Sequence, residues 1–391
     1  MRVLDDLSPG GARVLVRVDL NVPMRDGQVG DATRIERAVP TLSELAGKGA
    51  RVIVLSHFGR PKGRVVPALS LAPLAGPLGA ALGRRVAFAS LATAPEAVAN
   101  MTDGDVLLLE NLRFDPGEEA NGLDFAQALA ALGDFYVNDA FSCAHRAHAS
   151  TTGLAYLLPA AAGRALQAEL AALQAALASP RRPVAALVGG AKVSSKLAVL
   201  GHLLDKADQL IIGGGMANTF LFAKGLAIGA SLCETDLAQT AREIVAKADK
   251  VGCDIALPVD VVLARDLRAG TDSITVSVDQ VPDGMMILDI GPASVSDLTR
   301  RLAGCRTLLW NGPLGAFEFP PFDRGTVQVA QAAAAQTRTG DLTSVAGGGD
   351  TVAALRHAGA ADDFTYVSTA GGAFLEWLEG KVLPGIKALE I

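Results

Sequence analysis

The sequence has few cysteines, no signal-peptide core and no long apolar run, and each absence excludes a class of protein. Its four cysteines, among 391 residues, lie far apart at Cys143, Cys233, Cys253 and Cys305. That spacing argues against a disulfide framework and against a zinc site, and it suits a reducing compartment such as the cytoplasm. No uncharged apolar run is long enough to span a membrane. The net charge of −6 argues against a general nucleic-acid or membrane-surface binder. We therefore expect a soluble cytoplasmic protein without a nucleic-acid or membrane partner.

Strand-like and helix-like runs alternate along the whole chain, which is typical of an α/β fold with parallel sheets. A stretch rich in Ala, Leu and Gln predicts a helix over 164–178, stopped by Ser179 and Pro180. We therefore predict two domains, at 1–163 and 180–373, joined by a bridging helix at 164–179. The predicted strands are 13–20, 51–56, 85–88, 105–109 and 135–137 in the first half, and 184–188, 209–212, 254–263, 274–278, 286–288, 307–310, 343–346 and 364–367 in the second.

The stretch 184–196, VAALVGGAKVSSK, joins an apolar run to two glycines and two lysines. It predicts a strand, a tight turn and a helix that opens at Gly190. Lys192 and Lys196 are four residues apart, so we expect them on one face of that helix start. Two cations beside free backbone N–H groups would form an anion site. The alternative is a solvated helix start with ordinary surface lysines. The string does not match the P-loop pattern.

Basic side chains follow successive predicted strands in the first half of the chain. In parallel sheets, ligands bind beyond the carboxyl ends of the strands. Surface salt bridges would explain one such arginine, but arginines at four strand ends favour a small, multiply anionic ligand, because the guanidinium fork suits carboxylate and phosphate. The polar residues at these ends are Arg17, Asp19, Asn21, His57, Arg60, Lys62, Arg64, Asn111, Arg113, Asp139, His145, Arg146 and His148, with Arg34 shortly after the first.

Glycine-rich turns replace the arginines at the strand ends of the second half. Such turns let backbone N–H groups approach phosphate oxygens or a flat base closely. Several such turns in one domain indicate a nucleotide-binding site. None of them matches the dinucleotide fingerprint, which disfavours NAD as the ligand. Asp350 could hold a phosphate-bound Mg²⁺, or it could simply be a helix N-cap. The turns contain Gly213, Gly214, Gly215, Gly291, Gly312, Gly347, Gly348, Gly349, Gly371 and Gly372.

These stretches together resemble the phosphoglycerate kinase family over essentially the whole chain and in the family's order. The motifs that carry the resemblance are RVDLNVP, SHFGRP, ENLRF followed by GEE, AHRAHAS, GGAKVSSK, GGGMANTF, WNGPLGAFE, GGGDT and LEGKVLPG. The family implies reversible phosphoryl transfer between 1,3-bisphosphoglycerate and Mg-ADP, giving 3-phosphoglycerate and Mg-ATP. It also implies two Rossmann-like domains that close about a hinge, with residues from about 374 to 391 packing back on the first, and a monomeric protein.

The resemblance assigns roles to individual residues. Arg34 and Lys192, with the N–H groups of Gly371 and Gly372, match groups that face the transferred phosphoryl. Lys196 matches the lysine that grips nucleotide phosphates, and Glu318 matches the ribose contact. The phosphoglycerate positions are Asp19, Asn21, Arg34, His57, Phe58, Gly59, Arg60, Arg113 and Arg146. The nucleotide positions are Gly213, Gly214, Gly215 and Gly291 for the base, and Gly347, Gly348, Gly349, Asp350 and Thr351 for the phosphates, with Asp350 as the metal ligand.

One departure from the family pattern concerns the turn near the C-terminus, where Ala370 replaces the first of three glycines. Alanine keeps its backbone N–H, so the anion site is retained if Ala370 has a negative φ. A positive φ would introduce strain of roughly 1 kcal/mol or more.

Three alternatives to direct transfer by a kinase follow from the residues. His145 and His148 could accept a phosphoryl group, although arginine recognition explains their motif without that role. A dinucleotide-dependent dehydrogenase is disfavoured by the missing fingerprint. A non-catalytic binding protein for an anionic metabolite is disfavoured because that class is typically exported.

Overall fold

A computed structural model describes residues 1–25 and 27–390. The chain divides into two compact units: the first contains Met1–Leu170 and the segment from Val382 onward, and the second contains Ala171–Lys381. Each unit is built on its own six-stranded parallel sheet. The predicted α/β class with parallel sheets is therefore confirmed. No helix in the described part of the chain is long and apolar enough to cross a membrane.

The sheet of the first unit has the order β5-β6-β4-β1-β7-β8. Its central strands are rich in Val and Leu and are almost fully buried, and the helix Thr33–Gly47 covers one face with Ile35, Ala38, Leu42 and Leu45. The spacing of three to four residues between Ile35, Ala38, Leu42 and Leu45 places these apolar side chains on one side of the helix. The strands are β1 (Arg13–Arg17), β2 (Met24–Arg25), β3 (Gln28–Val29), β4 (Arg51–Leu55), β5 (Val86–Ala89), β6 (Val106–Leu109), β7 (Phe135–Asn138) and β8 (Ala160–Ala162). The helices are α1 (Thr33–Gly47), α2 (Ala75–Leu82), α3 (Ala94–Ala99), α4 (Pro116–Glu119), α5 (Leu123–Ala130), α6 (Leu154–Leu157) and α7 (Arg164–Leu173).

The second unit has a parallel sheet of order β11-β10-β9-β15-β16-β17 and a separate antiparallel sheet of order β13-β12-β14. Trp310 is the largest side chain in the core of the parallel sheet and packs beside Phe364. The strands are β9 (Val184–Val188), β10 (Gln209–Ile212), β11 (Asp254–Ala256), β12 (Asp260–Ala264), β13 (Ile274–Ser277), β14 (Met286–Ile290), β15 (Thr307–Asn311), β16 (Thr343–Gly347) and β17 (Tyr366–Ser368). The helices are α8 (Leu197–Leu204), α9 (Gly214–Ala223), α10 (Ala238–Val251), α11 (Pro292–Ala303), α12 (Arg324–Arg338), α13 (Gly349–His357) and α14 (Gly371–Leu378), while α15 (Pro384–Lys387) belongs to the first unit.

Three details differ from the sequence predictions. The single strand predicted at 254–263 is two strands, because Pro258 interrupts it, and its second part joins the antiparallel sheet. The helix predicted to open at Gly190 begins only at Leu197, with Lys196 as its N-cap in a non-helical conformation. Lys192 and Lys196 therefore do not share a helix face, and that prediction was wrong.

The helix predicted over 164–178 is present with those ends, but the division between the two units differs from the predicted one. α7 continues as a π-helix over Gln174–Ala178, so the predicted helical span is continuous, but the division between the units falls inside it, after Leu170. The segment that returns to the first unit starts at Val382, not near residue 374. The reason is that α14 packs against α8 and stays with the second unit.

Candidate active site

The carboxyl edge of the first sheet holds Arg34 in a fixed position. Its Nη1 donates to Asp19 Oδ1 at 3.0 Å and to the carbonyl oxygen of Asn21 at 2.8 Å. Ser142 Oγ donates to the other Asp19 oxygen at 2.6 Å. Burial opposes ionisation of Asp19, but the Arg34 guanidinium and the hydrogen bonds from Ser142 and from the Asn21 N–H outweigh it and lower the pKa of this carboxyl. An ionised Asp19 therefore orients a half-buried arginine beside the end of β1.

The loop after β4 is fastened to the same edge. Gly59 donates its N–H to Asn21 Oδ1 at 2.9 Å, and Asn111 Nδ2 donates to the carbonyl oxygen of Phe58 at 2.7 Å. Gly59 has a φ of +61°, and a Cβ there would lie 2.8 Å from a methyl carbon of Leu69, so only glycine fits. The structure thus brings together three separate predicted stretches at one sheet edge.

The remaining predicted arginines of this edge differ in exposure. Arg113 is 5 % exposed and donates from Nη1 to the carbonyl oxygen of Gly59 at 2.8 Å. Arg146 is half-buried, and its Nε donates to His145 Nε2 at 3.2 Å. Arg60 is exposed. The edge therefore presents both anchored and exposed guanidinium groups, which suits an anion that makes several contacts.

Two of the polar residues that follow β7 have structural roles. Asp139 Oδ1 accepts the N–H of Leu166 at 3.0 Å and so caps the first turn of α7. His148 is 6 % exposed, and burial, with Arg113, Arg17 and Arg146, lowers its pKa to about 4. A buried side chain cannot present a nucleophilic nitrogen to a phosphoryl donor, so the structure disfavours His148 as a phosphoryl acceptor.

In the second unit, Lys196 reaches back into the turn between β9 and α8. Its Nζ donates to the carbonyl oxygens of Gly189 at 2.7 Å and Asn311 at 3.1 Å, and also to Asn311 Oδ1. Burial lowers the pKa of Lys196 to about 8, and the nearby Asp350 opposes this shift. Lys192 is instead exposed. The two lysines therefore lie in different environments.

A cavity of about 330 Å³ opens beside this turn. Among the predicted nucleotide residues, Gly214, Gly215, Glu318 and Asp350 line it. Its other walls are largely apolar and were missed by the sequence analysis, because their residues read as ordinary core positions. They include Leu232, Pro258, Val261, Leu267, Met286, Leu288, Pro313 and Leu314.

Several predicted glycines are required by packing within the unit. A Cβ on Gly291 would lie 2.3 Å from the Asp260 carboxyl, which accepts the N–H groups of Ala293 and Ser294 at the start of α11. Gly213, Gly291, Gly347, Gly348, Gly349 and Thr351 are not among the residues that line the cavity. Thr351 Oγ1 instead accepts the N–H of Gly312 at 2.7 Å.

Two helix N-termini complete the carboxyl edge of the second sheet. Asp350 is exposed and is the second residue of α13, whose N-cap is Gly348, so the N-cap alternative for Asp350 was wrong. α14 begins at Gly371, after Ala370, whose φ is −91°. Ala370 therefore has the negative φ that avoids strain, and its own N–H donates to Ser368 Oγ at 3.2 Å. The described residues contain no group of three or more His, Cys, Asp or Glu side chains able to hold a metal alone.

Known proteins resemble this chain over nearly its whole length. A family model described as phosphoglycerate kinase matches residues 4–381. Proteins named phosphoglycerate kinase from Methylobacterium radiotolerans and Rhizobium meliloti are 64% and 60% identical, each over 99% of this chain and 98% of the relative. The structure of phosphoglycerate kinase from Coxiella burnetii is 43% identical with a TM-score of 0.93, covering 99% of this chain and 98% of that one. That of Pyrococcus horikoshii is 30% identical with a TM-score of 0.82, covering 100% and 98%. These matches confirm the resemblance found in the motifs, and the chain belongs to the phosphoglycerate kinase family.

Proposed function

We propose that the first unit of this chain binds phosphoglycerate, that the second binds ADP or ATP, and that a phosphoryl group passes directly between them. Membership of the family makes the chain a kinase of glycolysis with a nucleotide substrate. The assignment of ligands to units rests on the contrast between the two carboxyl edges. One carries arginines fixed by Asp19 and Gly59, and the other carries a cavity with apolar walls beside Lys196.

The first edge suits a ligand with a carboxyl group and a phosphate. Arg34 is held by Asp19 and by the Asn21 carbonyl, so little side-chain entropy is lost when it meets an anion. Asp19, Asn21, His57, Phe58, Gly59, Arg60, Arg113 and Arg146 are the proposed remaining contacts. Of these, Arg60 is exposed and free to move onto a phosphate.

The cavity suits a nucleotide because its apolar walls can enclose a base while Glu318 meets a ribose hydroxyl. Lys196 and the turns with Gly213, Gly214, Gly215, Gly291, Gly347, Gly348, Gly349 and Thr351 are the proposed phosphate and base surroundings. Asp350, exposed near Lys196, fits a Mg²⁺ that arrives with the nucleotide, since Mg²⁺ typically takes one or two carboxylates and substrate phosphates. When bound, that ion would neutralise phosphate charge.

The proposed chemistry is charge stabilisation without a covalent intermediate. Phosphoryl transfer gains mostly from positioning and from cations near the equatorial oxygens. Arg34 supplies a fixed cation, Lys192 an exposed one, and Gly371 and Gly372 supply backbone N–H groups at the start of α14. Each proposed site consists of residues of one chain, so we also propose a monomer, acting in the cytoplasm.

The experiment that tests this proposal measures ATP formation from 1,3-bisphosphoglycerate and ADP, together with calorimetric binding of 3-phosphoglycerate to the full-length protein. Arg34→Met should abolish most of the 3-phosphoglycerate affinity and leave ADP binding unchanged. Arg85→Met is the matched control, because Arg85 is an exposed arginine just before β5, at the amino edge of the same sheet. Normal 3-phosphoglycerate binding by Arg34→Met would contradict the assignment.

A further inference from the structure

A fully buried arginine lies at the carboxyl edge of the first sheet, where no solvent reaches it. Arg17, the last residue of β1, is 0 % exposed. Its Nε donates to Ser150 Oγ at 2.8 Å and its Nη1 donates to the Val18 carbonyl oxygen. Its Nη2 lies 3.0 Å from His57 Nδ1 and 3.7 Å from Cys143 Sγ. Each side-chain nitrogen therefore has a protein partner, and the guanidinium has no route to a ligand.

The contact between Arg17 and His57 determines which ring nitrogen of His57 carries the proton. Arginine has only donors and does not lose its proton in proteins. His57 Nδ1 must therefore accept, and a neutral ring then carries its proton on Nε2. Among the described residues, no group hydrogen-bonds to Nε2, and Nε2 is not one of the buried side-chain atoms that lack a hydrogen-bond partner. His57 thus has one occupied acceptor nitrogen and one available donor nitrogen.

The orientation of Arg17 is itself maintained through a second buried ionisable group, Glu118. Ser150 Oγ, which accepts from Arg17 Nε, donates to Glu118 Oε1 at 2.6 Å, and the Ser150 N–H donates to Glu118 Oε2 at 3.0 Å. Glu118 is 0 % exposed. A buried cation and a buried carboxyl group, whose pKa is raised by burial, are thus linked through one hydroxyl, an arrangement that is costly to build unless every member is satisfied.

We propose that Arg17 is a positioning residue that fixes His57 as the Nε2–H tautomer, so that His57 offers a hydrogen-bond donor to an anionic oxygen of phosphoglycerate. This inference rests on the proposed function for the identity of the ligand. The charged and titratable groups around His57 are Arg17, Asp19, Arg34, Arg113 and the Cys143 thiol. Burial and Arg17 lower the pKa of His57 well below its ordinary value, and Asp19 opposes them, so the ring is neutral at pH 7.

The first measurement is long-range ¹H–¹⁵N correlation NMR on the full-length protein with labelled histidine, using His57→Gln to assign the signals. The expected spectrum at pH 7 shows the His57 ring as a single Nε2–H tautomer. A ring protonated on Nδ1, or a doubly protonated ring, would overturn the proposal without any variant of Arg17. If the tautomer is as expected but His57→Gln leaves the KM for 3-phosphoglycerate unchanged, the result would instead count against the proposed contact between His57 and the ligand.

The second measurement compares kinetics of Arg17→Met and Cys143→Ala, two changes to neighbours that both touch His57. In Arg17→Met, the KM for 3-phosphoglycerate should rise by about tenfold or more, as for a lost hydrogen bond to a charged group, with the KM for ATP unchanged. The NMR spectrum of the same variant should show His57 as a mixture of Nδ1–H and Nε2–H tautomers, because Nδ1 has lost the donor that fixes it. Cys143→Ala should behave as the wild type in both measurements. A raised KM in Arg17→Met with the single Nε2–H tautomer retained would show a merely structural role for Arg17 and refute the proposal.

Discussion

The buried environment of Lys196 should make nucleotide binding depend on pH. Lys196 is held by the carbonyl oxygens of Gly189 and Asn311, and burial lowers its pKa to about 8. Below that pH the amine is charged and attracts phosphate oxygens. Above it the free protein loses the charge, so binding of an anion must first restore the proton. Affinity for ADP should therefore fall as the pH rises through about 8.

The size of the effect follows from the titration of one group. At pH 9 only about a tenth of the free protein keeps the Lys196 charge, so the dissociation constant for ADP should be about tenfold larger than at pH 7. Binding should take up nearly one proton at pH 9 and almost none at pH 7. A bound phosphate raises the pKa of the lysine, which is why the protonated form dominates in the complex.

Isothermal titration calorimetry in two buffers of different ionisation enthalpy measures both the affinity and the proton uptake. Lys196→Met should bind ADP weakly and without this pH dependence. Lys192→Met is the comparison, because Lys192 belongs to the same turn but is exposed. It should lower kcat by roughly 10² to 10³-fold, as for one charge-stabilising donor, while the pH dependence of ADP binding is retained. A wild-type affinity that is flat from pH 7 to 9, or an equal decline in Lys196→Met, would refute the reasoning.

Three further predictions concern stability, chemistry and motion. Burial raises the pKa of Asp139 to about 6, so the folded state binds the Asp139 proton more tightly than the unfolded chain does. The stability of the wild type relative to Asp139→Asn should therefore fall by about 3 kcal/mol as the pH rises from about 4 to 6. A difference in melting temperature between the two proteins that is the same at pH 4.5 and 7.5 would contradict this. Transfer at a chirally labelled phosphorus should invert its configuration, and net retention would require a covalent phosphoenzyme. Small-angle scattering should give a smaller radius of gyration with both ligands than without, since ligands held by separate units must meet; an unchanged radius would exclude closure.

Elements whose pattern is set by their own residues could be predicted from the sequence. The buried strands β1, β4, β9 and β15 have apolar central residues, and polar loops follow β1 and β4 whereas glycines follow β9 and β15. Because parallel strands end at one edge of a sheet, the strand pattern indicated that the loop with Asp19 and Asn21 would meet the loop after β4, and the Gly59 N–H donates to Asn21 Oδ1.

Features that depend on tertiary contacts could not be predicted. Lys196 lies outside a regular helix because its Nζ is bonded to Gly189 and Asn311, and Asn311 is 115 residues away. β12 leaves the parallel sheet to pair with β13 and β14, and the resulting apolar wall resembles core sequence. Arg17 looks like one more arginine at a strand end, and only its complete burial distinguishes it from Arg60.

Ala370 provides a last test, because its φ could not be read from the sequence. With φ at −91° the alanine is unstrained, and it is 3 % exposed at the N-cap of α14. Ala370→Gly, which restores the family pattern, should lose about 0.4–1 kcal/mol through a more flexible unfolded chain and a similar amount through the buried methyl group. Glycine is a better N-cap than alanine by several tenths of a kcal/mol, which offsets only part of this loss. The net change should lower the melting temperature by about 2–4 °C.

Because the N–H groups of Gly371 and Gly372 are unchanged, kcat should stay the same. A variant that is more stable, or clearly faster, would show that Ala370 strains this turn.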